Sequence, residues 1–250
     1  MKTTAKIILG LLVLMLVVTT VLMVSFRLSV NHADIVPGSG KIVSQELALQ
    51  PFSEVSAQGN FTLYLQEGLQ EEIRIEADDN LIEFLNTEIR DNKLLLEITR
   101  PMKNPTQFDV FVTYVSLNQI KASSAVRVHT QGILSGESLG VEIKSGARTD
   151  ITLNVSDLNL EVGSGANAVF SGQALDVSLT VRAGAVLQAV ELLAKQMKID
   201  ASEGARAEVN VTELLSVNAK SGSHVFYKGN PRMDQLNLSS GAELSRLSDN

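Results

Sequence analysis

Six basic side chains are spaced so that they could hold an anion. Lys144, Arg182 and Lys220 each stand two residues before a glycine, and Arg148, Arg206 and His224 stand two residues after one. Cations repeated along one line suit an anionic polymer, such as a lipopolysaccharide, teichoic or capsular chain, because charge-assisted hydrogen bonds to such groups are strong. The competing reading is a mixed-charge surface. Glu142, Glu161 and Asp200 take the neighbouring outward position. Spreading the cations over alternate repeats also keeps like charges from facing each other, which would destabilise strand pairs.

Other chemistry is thinly represented. His32, His129 and His224 are far apart and lack any metal-ligand spacing. Glu71, Glu72, Asp78 and Asp79 are oxygen ligands of the kind calcium takes, but without the spacing of a calcium loop they read as solvated turn charges. Gly163-Ser164-Gly165 lacks the lysine of a phosphate loop, and there is no nucleophile elbow. No catalytic residue, metal or cofactor is expected. The net charge of -7 argues against nucleic acid as a partner. Trp is absent and aromatics are few, so no stacking platform for sugars is evident.

The elements that must position the cations follow from a repeat. Ser145-Gly146-Ala147 returns around Gly165, Gly184, Gly204, Gly222 and Gly241, in steps of 19, 19, 20, 18 and 19 residues. Seven, five and three residues before each of the first five glycines stand apolar residues, such as Leu139, Val141 and Ile143, or Leu158, Leu160 and Val162. The residues between are polar or small. This is the period of a half-buried strand. The glycine permits a corner with φ > 0. A repeat of this length has no room for a crossover helix. Two or three short strands joined by corners would fill it, as one coil of a parallel β-solenoid. Six or seven coils would make a rod roughly 30 Å long at the usual strand spacing. Ser123-Ser124-Ala125 reads as a degenerate corner with Ser124 in the glycine slot. Asp234 replaces the first apolar position of the last strand, and the end is polar, so the C-terminus reads as a cap.

The chain before the repeat divides in three. Residues 1–33 form a signal anchor: Lys2 and Lys6 precede an uncharged apolar run from Ile7 to Phe26, long enough for one transmembrane helix. No good cleavage site follows. The lysines favour a cytoplasmic N-terminus, so the remainder would be exported. Residues 34–50 carry Pro37-Gly38-Ser39-Gly40 and read as a linker. Residues 51–250 are the solenoid domain, with a strand-rich lead-in over 51–116 and repeat coils over 117–250. A single helical segment is expected around residues 79–86. There is no cysteine, so the fold must hold by core packing alone.

Phe52-Ser53-Glu54-Val55, Asp78-Asp79-Asn80-Leu81, Asn92-Lys93-Leu94-Leu95-Leu96, the serial Ser-Gly-Ala corners and Tyr227-Lys228-Gly229-Asn230-Pro231 occur in that order. Together they resemble the bacterial family called putative auto-transporter adhesin, head GIN domain, over roughly residues 51–247. The resemblance implies a right-handed β-helix exported to the cell envelope, and brings no catalytic residues. Members often carry a proline just before the first such coil, where this chain has Val115-Ser116. The expected function is therefore a non-enzymatic binding, adhesion or scaffold module, whose partner is an envelope polymer or another envelope protein and whose residues 7–26 lie in the inner membrane. Two alternatives are a polysaccharide-active enzyme built on a β-helix and a sensor subunit of a membrane signalling complex.

Overall fold

The computed structural model describes residues 14–23 and 35–248. Residues 14–23 form an exposed helix within the apolar run; the rest of that run, and His32, lie outside the described residues. Among the described residues no helix is long and apolar enough to cross a membrane.

The chain is all-β, with 64% of its residues in strands, and coils into a β-solenoid of about seven turns. Short strands come first: β1 (Val36–Pro37), β2 (Ile42–Ala48), β3 (Glu54–Gln58), β4 (Thr62–Glu67) and β5 (Glu72–Asp78). The expected helical segment is a single 3-10 turn, Ile82–Phe84. Next are β6 (Leu85–Arg90), β7 (Lys93–Ile98), β8 (Met102–Lys103), β9 (Phe108–Tyr114), β10 (Gln119–Ser123), β11 (Arg127–Gln131) and β12 (Leu134–Ile143). Four long strands follow: β13 (Arg148–Val162), β14 (Asn167–Val181), β15 (Val186–Ala201) and β16 (Arg206–Ala219). The chain closes with β17 (His224–Lys228), β18 (Arg232–Leu238) and β19 (Glu243–Arg246).

The long strands replace the two or three short ones expected per coil. Each runs from one glycine corner to the next, and a bend needs no second tight turn. In β13, Ser156 and Asp157 both face away from the core between buried Val155 and Leu158, which breaks the alternation and turns the strand.

Inward residues stack in register. Leu94, Val55, Ile120, Val141, Leu160, Leu179, Ile199, Val217 and Leu236 form one such column. All but Leu236 are almost completely buried. Each buried side chain of this size contributes about 1.5–3 kcal/mol, which is how a cysteine-free coil holds together.

The corners carry more left-handed backbone than glycine alone required. Ser145 (φ 55°) and Gly146 (φ 75°) are both left-handed, and Ala147 N–H donates to the Lys144 carbonyl at 3.1 Å. Two consecutive positive φ values inside such a bond are the mark of a type I′ turn. The pattern returns at Ser164, Ala183, Glu203, Ser221 and Ser240, each followed by its glycine. Each glycine N–H also donates to the next corner, from Gly146 to the Ser164 carbonyl at 3.2 Å through Gly222 to the Ser240 carbonyl at 3.0 Å. The alanine after the glycine points inward and is fully buried at Ala147, Ala166, Ala185 and Ala205. The earlier corner is displaced by one residue from its expected frame. Ser124 (φ 59°) occupies the serine slot and Ala125 (φ 71°) the glycine slot. With that frame Ile120 and Ala122 fall in register with Val141 and Ile143.

Stack order departs from chain order. β3 lies between β7 and β10, and β4 lies between β9 and β11, all parallel. The first coil formed is thus an inner coil. The chain leaves it, builds the outer end through β5 to β9, and then returns to lay β10 and β11 on its other side. β5 pairs antiparallel with β9, β2 with β5, and β6 with β7, so antiparallel strands close the N-terminal end.

The C-terminal end corrects the expected cap. β18 takes a bulge against β16, so Met233 rather than Asp234 faces Leu215. Asp234 turns outward to accept from the Ser216 hydroxyl at 3.1 Å. Leu236 and Leu238 remain exposed.

Candidate binding edge

The two-residue corners place the residues beside them on two outward ladders. Lys144, Arg182 and Lys220 lie on one side of the corner line and Arg148, Arg206 and His224 on the other. The glycines Gly146, Gly165, Gly184, Gly204, Gly222 and Gly241 form the line between.

Most of these cations are engaged. Lys144 Nζ lies 2.6 Å from Glu142 and 3.1 Å from Glu161, and Arg182 also pairs with Glu161. Lys121 extends the chain of charges to Glu142 at 3.1 Å. The Lys144 hydrogen bond, against some burial, holds the Glu142 carboxyl below its ordinary value, and the same contact raises the Lys144 ammonium. Arg206 pairs with Glu208 at 2.7 Å and lies 4.1 Å over the Phe226 ring. His224 Nδ1 lies 3.3 Å from Glu243. Arg148 and Lys220 have no ion-pair partner among the described residues. The carboxylates come from the coil's own ladder or the next one, about one repeat away.

One cation escaped the sequence reading. Arg127 stands in direct register with Arg148. Its signal was present: once Ala125 is taken as the glycine equivalent, Arg127 falls two residues after it. Arg127 and Arg148 are a pair of like charges on adjacent strands, which by itself is unfavourable.

Asp78, Asp79 and His129 have structural partners. Asp78 is fully buried and accepts N–H bonds from Gly40 at 2.6 Å and Thr106 at 2.7 Å. Burial pushes its carboxyl up, but these backbone donors outweigh it and leave the value lowered. Oxygens already aimed at N–H groups are poor cation ligands. Asp79 accepts from the Ser39 hydroxyl at 2.7 Å and pairs with Lys41 at 3.3 Å. Among the described residues no cluster of His, Asp or Glu could hold a metal. His129 stacks on Tyr64 at 5.6 Å, and Tyr64 on Phe111 at 4.8 Å, with Arg74 3.9 Å from the Phe111 ring. This aromatic ladder was invisible in sequence because its members come from β4, β9 and β11. Each Tyr64 face is covered by a neighbouring ring, so it offers edges rather than a platform.

An open groove of about 390 Å³ follows the far bend, lined by Ser138, Asp157, Asp176 and Lys198 among others. Asp157 and Asp176 are in direct register there.

Solved structures share this architecture. A crystal structure of a putative adhesin from Bacteroides fragilis NCTC 9343 superposes with a TM-score of 0.79 at 20% identity, covering 85% of this chain and 100% of the other. A putative adhesin from Parabacteroides distasonis ATCC 8503 gives 0.70 at 18% identity, covering 86% and 100%. A putative lipid binding protein from the same strain gives 0.68 at 13% identity, again covering 86% and 100%. At these identities the likeness is one of fold. No curated protein matches the chain. The family model described as putative auto-transporter adhesin, head GIN domain, matches residues 51–231, and the chain therefore belongs to that family.

Proposed function

We propose that the chain is a non-enzymatic binding module of the bacterial cell envelope, whose solenoid contacts an extended anionic polymer along its corner edge. In this reading residues 7–26 anchor it in the membrane and the solenoid is exported. The observation that carries it is the corner line itself. Consecutive type I′ corners, hydrogen-bonded from Gly146 to Ser240, make a continuous surface with a regular repeat. A continuous, repeating surface suits a repeating polymer better than a compact molecule. Arg148 and Lys220 are the cations on that edge with no ion-pair partner among the described residues, with Arg127 beside Arg148; Lys144, Arg182, Arg206 and His224 are held in ion pairs and would contribute through their remaining donors. Corners of two residues leave little loop with which to build an enclosed catalytic cleft. The names of the adhesin-like neighbours point the same way.

The test is binding of the full chain, in detergent micelles, to immobilised lipopolysaccharide, peptidoglycan and capsular polymer at low and high salt. Saturable binding that weakens with salt and falls at least tenfold in the triple variant Arg127→Ser, Arg148→Ser, Lys220→Ser is expected. Binding that ignores both salt and those substitutions, or none to any fraction, overturns the reading. Release of soluble fragments from a uronic-acid polymer, abolished by Asp157→Asn and Asp176→Asn, would establish a polysaccharide-active enzyme instead.

A further inference from the structure

Arg127 and Arg148 stand side by side on β11 and β13, in register and exposed. Neighbouring strands lie about 4.8 Å apart, so the two guanidinium groups reach the same patch of surface. Like charges placed this way repel. Neither arginine has an ion-pair partner among the described residues to relieve that repulsion. Asp150, two residues past Arg148 on the same face, stands in register with His129 and forms an ion pair with neither arginine. Elsewhere along the edge the arginines are neutralised, Arg182 by Glu161 and Arg206 by Glu208. Two adjacent cations without a counter-ion are an arrangement that a bound anion completes.

A recess opens on the other side of Arg127. It holds about 340 Å³, and its walls include Asn60, Thr62, Thr106, Gln107 and Asp109 beside Arg127 itself. Thr62 stands between Arg127 and Asp109 on one ladder. Asp109 is held as the far wall, where it accepts from the Gln107 amide at 2.8 Å. The recess therefore runs from a cationic side to an acidic side across two strand spacings, roughly 10 Å. Hydroxyl and amide groups lie between.

We propose that this is a binding site for a sugar phosphate, with the phosphate held by Arg127 and Arg148 and the hydroxylated ring over Thr62 in the recess. A carboxylate has two oxygens and a single charge, which one guanidinium fork satisfies. A phosphomonoester has three free oxygens and a charge of about −1.5 to −2 near neutral pH, so it accepts from both forks and balances both. The recess is at the small end of ligand pockets, a size that suits one sugar ring. Its Thr, Asn and Gln groups donate to and accept from ring hydroxyls. Asp109 accepts from a hydroxyl and repels a second anion, which selects a ligand charged at one end only. The site rests on the reading above in that both arginines belong to the proposed edge, and it names the chemical class taken at the first coils. Free sugar phosphates and phosphate groups borne on a polymer share that chemistry.

The test titrates the full chain, in non-ionic detergent micelles at low salt, with glucose 1-phosphate, inorganic phosphate and glucuronate, followed by calorimetry. Glucose 1-phosphate should bind saturably, at least tenfold tighter than glucuronate and at least threefold tighter than inorganic phosphate. Arg127→Lys and Arg148→Lys keep the charge and lose the fork, and each should weaken glucose 1-phosphate at least fivefold with unchanged circular dichroism. Lys195→Ser, a loss of charge on another face, should change nothing. Thr62→Val should remove the preference over inorganic phosphate and leave inorganic phosphate as it was. No saturable binding, glucuronate binding as tightly as glucose 1-phosphate, or full binding in both lysine variants overturns the proposal. Phosphorylated dextran separates the sources: displacement by glucose 1-phosphate extends the site to polymer-borne groups, and failure to displace confines it to the free sugar phosphate. If no envelope polymer binds, the edge reading falls and the glucose 1-phosphate titration still decides this site.

Discussion

Ala125 holds φ 71° in the corner slot that Gly146 fills at φ 75° one coil later. A Cβ in this region costs roughly 1–2 kcal/mol. Glycine would remove that strain but regain some freedom in the unfolded chain. We expect Ala125→Gly to stabilise the protein by about 0.5 kcal/mol. A Cβ at Gly146 meets nothing within 4 Å, so Gly146→Ala should cost about 1 kcal/mol through conformation alone. Denaturant midpoints of the two variants should move in opposite directions; movement in the same direction would show that the slots differ.

Thr149 interrupts an aliphatic column between Val128 and Ala168. It is 4% exposed, and its hydroxyl has no hydrogen-bond partner among the described residues. A buried unpaired hydroxyl costs about 1–3 kcal/mol. Thr149→Val keeps the shape and removes the hydroxyl, so it should gain about 1 kcal/mol. Thr149→Ser keeps the hydroxyl and loses a methyl, and should be destabilised. Thermal unfolding of the pair checks this, and a loss of stability in Thr149→Val would point to a partner for the hydroxyl in solution.

Asp78 ties β5 to the loops at Gly40 and Thr106. A Cβ at Gly38 would lie 2.7 Å from its Oδ2, so the chain passes too close for any other residue there without a shift. The carboxyl value is lowered in the folded state. The stabilisation is therefore complete above the ordinary carboxylate value of about 3.9 and is lost as pH falls through the lowered one. At neutral pH Asp78→Asn should cost about 2 kcal/mol. The gap between variant and parent should narrow on acidification below about pH 4. A gap that stays constant to pH 2 would mean that the charge contributes nothing.

Lys144 bridges Glu142 and Glu161 from a position about 30% exposed. Such partly exposed pairs contribute little, and salt screens them. Lys144→Ser should cost less than about 1 kcal/mol, with the loss shrinking at high salt. An effect on polymer binding larger than that of Arg148→Ser would instead assign Lys144 a direct contact.

Features that depend on near neighbours were legible before any coordinates. Alternation around Leu158, Leu160 and Val162 settles which side chains face the core, because successive strand residues point to opposite faces. The corner at Gly146 is also local, since a type I′ turn depends on a few backbone angles. Even the misplaced frame at Ala125 was a one-residue error in a corner whose position was legible. Tertiary structure alone decided what depends on contacts between distant residues. Nothing near β3 says that it will lie between β7 and β10, because parallel pairing leaves no turn signal between partners. The stack of Tyr64 on Phe111 follows from that order, whereas the pairing of Arg182 with Glu161 and the like-charged register of Arg127 with Arg148 lie between successive coils. The open C-terminal end has the same origin. Leu236 and Leu238 carry the pattern of core residues, and only the absence of a covering coil among the described residues exposes them.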